Sequence, residues 1–95
     1  MASWSEAFEM FSTWKNRKTS LRVTMIERGE SEIVFRVVID ALDEEASKVG
    51  ILSPDERRYG LFDVGESEFF IEPGRMVVSR DDVEWLIFEE DDRED

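Results

Sequence analysis

The chain has 95 residues, 24 acidic against 12 basic, a formal charge of -12, and neither histidine nor cysteine. Those two absences remove the commonest general base, the thiolate nucleophile and most transition-metal ligand sets, and they leave no disulfide framework. A hydrophobic fraction of 41% with 12% aromatics is enough for the one small core that a single domain of this length requires.

The opening Met1-Ala2-Ser3-Trp4-Ser5-Glu6 has no basic and apolar signal regions, so a cytoplasmic location is expected. Ser3 and Glu6 have the spacing of a capping box, and Trp4, Ala7, Phe8, Phe11 and Trp14 recur at helical spacing. The pattern predicts an amphipathic helix over about Trp4 to Lys15, its aromatic stripe packed on a sheet. Lys15, Arg17 and Lys18 then stand at the negative end of the helix dipole.

From Ser20 the period changes to two. Leu21, Val23 and Met25 alternate with Arg22 and Thr24, Arg28-Gly29-Glu30 offers a turn, and Ile33, Phe35, Val37 and Ile39 return on one face. Val34 and Val38 make the opposite face of that strand partly apolar. Asp40 to Ser47 is a polar bend or one helical turn, and Val49 to Leu52 is a short strand in which Gly50 suggests a bulge. After the loop at Ser53-Pro54-Asp55-Glu56, strands are expected at Tyr59 to Val64, Phe69 to Ile71, Met76 to Val78 and Val83 to Phe88. The turns between them are Gly65-Glu66-Ser67, Pro73-Gly74 and Arg80-Asp81-Asp82.

The expected fold class is α+β, mainly β. An N-terminal amphipathic helix precedes five to seven antiparallel strands that form a small bent barrel or an open curved sheet. Residues 1–88 make the domain, and 89–95 form an acidic tail expected to be disordered. Trp85, Leu86, Ile87 and Phe88 put apolar side chains on both faces of the last strand. They are candidate self-association residues, and a homo-oligomer is expected. No apolar run approaches the ~18–20 residues of a membrane helix, and an acidic surface is repelled by anionic headgroups, so no membrane partner is expected.

Leu21-Arg22-Val23-Thr24, Gly29 and Ile39-Asp40-Ala41-Leu42-Asp43 are similar to the first motif of the Sm-like family, and Val78 to Val83 is similar to its second. The resemblance implies a barrel of the Sm-like or SH3-like kind, assembly into rings, and single-stranded RNA bound at Asp43 and Arg80. Asp81 stands where the family has glycine, and Ser47 or Lys48 where it has asparagine.

Charge bears on that implication, because binding phosphates requires basic groups and the overall field here has the opposite sign. A local patch of Lys15, Arg17, Lys18 and Arg22, which Arg57-Arg58 or Arg36 could join in space, is the place where nucleic acid would be held despite the disfavouring charge. The acidic runs Asp43-Glu44-Glu45, Asp81-Asp82 and Glu89 to Asp92 lack the spacing of a calcium loop, so they are read as solvated charge and no cofactor or metal is expected. The order of the cyclic-dinucleotide-binding PilZ pattern is absent around Asp63-Val64-Gly65. Without histidine or a glycine-rich phosphate cradle no catalytic constellation is visible, and the chain is not expected to be an enzyme. Two functions follow: an acidic protein-interaction or self-assembly module, whose partner is itself or a basic protein, and an Sm-like ring that binds RNA.

Overall fold

The computed structural model describes residues 2–27 and 31–90. The Ser3 hydroxyl accepts from the Glu6 N–H at 3.2 Å and the Glu6 carboxylate accepts from the Ser3 N–H at 2.9 Å, completing the capping box. This starts helix α1, Trp4–Arg17. It ends where Lys18 turns left-handed at φ 53 and its N–H, with that of Thr19, satisfies the carbonyls of Lys15 and Trp14. That cap carries α1 two residues past the expected Lys15.

Among the described residues seven antiparallel strands follow in one sheet: β1 (Leu21–Glu27), β2 (Ser31–Asp43), β3 (Lys48–Leu52), β4 (Tyr59–Asp63), β5 (Glu68–Glu72), β6 (Arg75–Arg80) and β7 (Val83–Glu89). Their order across the sheet is β4-β3-β2-β1-β7-β6-β5. The turn expected at Arg28 to Glu30 lies outside the described residues. The polar segment after Asp40 is strand as far as Asp43, followed by a turn in which the Asp43 carboxylate accepts from the Ala46 N–H at 3.0 Å.

Chain connectivity makes the sheet curl. Laid flat, seven strands would hold β4 and β5 about 29 Å apart, whereas the connector Val64–Ser67 spans at most ~18 Å. Contacts cross the resulting gap. Phe62 of β4 stacks on Trp85 of β7 at 5.1 Å between centroids, and Arg80 of β6 donates to the Asp63 carbonyl of β4 at 3.1 Å. Among the described residues no ladder joins β4 to β5, so the sheet is the open curved form of the two expected.

One face of the sheet is the core. Leu21 and Val23, Val37 and Ile39, Val49 and Ile51, Phe69, Met76 and Val78, and Ile87 are buried there against Ala7, Phe11 and Trp14 of α1. Each large side chain so buried contributes ~1.5–3 kcal/mol. α1 lies chiefly on β2 and touches β5.

β2 is the pivot. It pairs with β1 from Ser31 to Val37 and with β3 only from Val38 to Asp43, with a register shift between Ile39 and Ala41. The irregularity expected at Gly50 therefore lies in the strand opposite it. Gly50 itself pairs regularly with Ala41, and its missing side chain makes room for Tyr59, whose hydroxyl would lie 2.5 Å from a Cβ there. β7 runs through Glu89, and the Glu90 N–H bonds the Ser20 carbonyl at 2.8 Å. The last strand thus runs one residue past the expected Phe88, because β1 and the residue before it offer partners there; residues 91–95 of the expected tail lie outside the described residues.

Candidate functional site

β3 stops at Leu52 because the next six residues fold on themselves. The Ser53 N–H bonds the Arg58 carbonyl at 2.9 Å, and the Ser53 hydroxyl accepts from the Arg58 N–H at 3.0 Å. The Asp55 carboxylate accepts from the Ser53 hydroxyl at 2.6 Å and the Arg57 N–H at 3.1 Å, and these bonds hold it below its ordinary pKa. Pro54, lacking an N–H, cannot extend the ladder.

β2 is longer than the hairpin that covers it. From residue 32 to residue 37 one edge of β2 pairs with β1, and among the described residues no strand pairs with the other. A groove of about 760 Å³ lies along this free edge, lined by Ile33, Val34, Phe35 and Val37 of β2 and by Ile51, Pro54 and Tyr59. Of five large apolar side chains left exposed among the described residues, Ile33, Val34 and Tyr59 line the groove and Leu61 follows on the same strand as Tyr59.

The groove is basic within an acidic molecule. Arg22, Arg36 and Arg58 line it together with Glu90, which pairs with Arg36 at 3.1 Å. An open strand edge with apolar walls and guanidinium groups can hydrogen-bond an extended peptide backbone and pair with carboxylates beside it.

The residues singled out in the sequence are distributed as follows. Lys15 and Arg17 occupy the last turn of α1 and Lys18 its cap; Lys15 and Lys18 border a second groove of about 440 Å³ beside the Ser53–Glu56 loop. Arg22 stands over the Phe88 ring at 5.5 Å, and Arg75 approaches the same ring at 5.8 Å. Arg80 is engaged by the carbonyl of Asp63 and, at 3.7 Å, by its carboxylate. Asp43 lies across Lys48 from Asp63 and caps its own turn, so it is not brought to Arg80 directly.

The apolar run on β7 divides between faces. Ile87 is buried in the core and Trp85 stacks on Phe62, which leaves Leu86 and Phe88 on the outer face. Among the described residues no three acidic side chains gather into a metal-binding group, and no helix is long and apolar enough to cross a membrane.

No protein family, curated protein or solved structure matches this chain. Arg36 and Arg58, expected as additions to the basic patch, do meet Arg22 at this groove, whereas Lys15 and Lys18 border another; Tyr59 and the free edge were not singled out in the sequence. The available signal was a disparity of length: the apolar alternation of β2 begins at Ile33, whereas its partner run ends at Leu52 before Pro54, too short to cover it.

Proposed function

We propose that this chain is a non-catalytic acidic interaction and self-assembly module that accepts an extended strand along the free edge of β2. The observation that carries the proposal is the unpaired stretch from residue 32 to residue 37, set in a groove with exposed apolar walls. An exposed apolar strand edge is normally covered, twisted away or charged, because its backbone groups are a template for another chain. Addition of a strand satisfies those groups and removes Ile33 and Val34 from water together.

Two electrostatic ranges act on the choice of partner. The charge of -12 would draw a basic protein from a distance, but it is screened over about 8–10 Å. At contact the three arginines of the groove favour a strand that carries carboxylates. The RNA-binding alternative gains nothing from Arg80, whose guanidinium is held by Asp63. As part of the same proposal the module works in the cytoplasm, where a chain without cysteine forgoes no disulfide.

A fluorescent, end-blocked heptapeptide of alternating glutamate and valine is the probe. Saturable binding that Arg58→Glu weakens about fivefold is expected for an arginine-flanked strand site. A chain that is monomeric in the assay and shows no saturable binding at millimolar peptide overturns the proposal.

A further inference from the structure

We infer that the strand which completes the free edge of β2 is the same edge of a second copy, antiparallel and centred on Val34. This rests on the strand-accepting role proposed above and names its occupant.

The sequence of the edge is complementary to itself about Val34. A two-fold axis through that residue sets Ile33 opposite Phe35 and Glu32 opposite Arg36, each twice. Strand alternation puts Glu32, Val34 and Arg36 on the outer face and Ile33 and Phe35 on the inner, and directly opposed residues share a face. Both ion pairs therefore form on the outside while the apolar pairs extend the inner face. A register centred on Phe35 would set Arg36 against Val34 and Glu32 against Val38 and lose both ion pairs.

The surroundings complete the match. In the Val34-centred register the end of the partner's β1–β2 pair, which carries exposed Glu27, arrives at the Val37 end of the edge. There β3 has ended and Arg58 lines the groove, so acid meets base again outside the ladder. Ile33 and Val34, 52% and 55% exposed in the single chain, are covered by the same step. Two copies of charge -12 repel at long range, so the association tightens from low to physiological salt as that repulsion is screened.

The experiment is light scattering coupled to size exclusion on the full chain in 150 mM salt across a range of concentrations. Circular dichroism on every variant establishes folding. Wild type is expected at twice 11.2 kDa. Glu32→Arg and Arg36→Glu, both at exposed positions, are each expected to weaken the dimer at least tenfold, and the double exchange to restore it. The Arg36–Glu90 pair is lost equally in Arg36→Glu and in the double variant, so rescue reports the intermolecular contact alone.

A wild type that stays monomeric, a dimer indifferent to both single exchanges, or a folded double variant that stays monomeric each overturns the inference. A monomeric wild type that still binds the glutamate–valine peptide overturns this inference while sustaining the strand-accepting role. A monomer that binds no peptide removes both.

Discussion

The indole N–H of Trp14 donates to the Glu89 carboxylate at 2.9 Å, joining the last full turn of the helix to the last residue of the sheet across 75 positions of sequence. The same residue's backbone N–H bonds the Gly74 carbonyl at 2.8 Å, so Glu89 ties α1, β7 and the β5–β6 turn together. Hydrogen bonds to charged groups are worth about 1.5–3 kcal/mol. Trp14→Phe keeps most of the buried ring and loses that bond, so it is expected to lower unfolding free energy by about 2 kcal/mol. Trp85→Phe is the comparison: its indole N–H is buried without an acceptor in the described structure, and the change should cost under ~1 kcal/mol. Urea denaturation of both variants checks the ordering; equal losses would refute it.

The core and the outer sheet face should respond differently to the same substitution. Phe11 is fully buried between Trp4 and Trp14, and Phe11→Ala is expected to cost about 3–5 kcal/mol, enough to unfold a domain this small. Phe70, 46% exposed on the edge strand β5, should lose under ~1 kcal/mol when changed to alanine. Thermal melts of the pair test which face of the sheet carries the fold.

Asp55 organises the turn that ends β3, and its pKa is lowered first by the Ser53 hydroxyl and then by the Arg57 N–H. A depressed folded value means that the carboxylate's contribution is present above the unfolded pKa and is lost as pH falls through the folded one. Carbon-detected NMR titration should therefore place the Asp55 midpoint below the usual aspartate range, with Ser53→Ala moving it upward. A midpoint unchanged by Ser53→Ala would show that the hydroxyl is not its anchor.

Gly50 matters through Tyr59. A methyl group at position 50 would lie 2.5 Å from the Tyr59 hydroxyl and 3.3 Å from the Ala41 Cβ, so in Gly50→Ala the ring must leave its place over the strand. Because the ring is 58% exposed it can swing at little cost in stability, expected below ~1 kcal/mol. The chain has one tyrosine, so its ring proton shifts report the movement directly. Unchanged shifts would contradict the geometry.

The helix was legible because its signals are local: a hydroxyl and a carboxylate three residues apart and aromatics at a period of one turn. The seven strands were legible for the same reason, since alternation and turn residues act within a few positions. Their neighbours in space were not. Whether β1 pairs with β7, and whether the edge strands meet, depends on closing loops across the whole chain, and no short window contains that information.

The same distinction divides the candidate sites. The apolar character on both sides of β7 was readable, but only the tertiary structure turned Trp85 and Ile87 inward and left Leu86 and Phe88 outside. The groove was decided at an even longer range. It exists because β2 shifts register beyond Ile39 while β3 ends at Leu52, so the two strands part company at Val38 and leave one edge bare. Sequence alone determined that this is a small, acidic, strand-rich domain with one capped helix, because composition and periodicity are properties of neighbouring residues. The free edge and the meeting of three arginines beside it are properties of registers between distant strands, and those are set only when the sheet assembles.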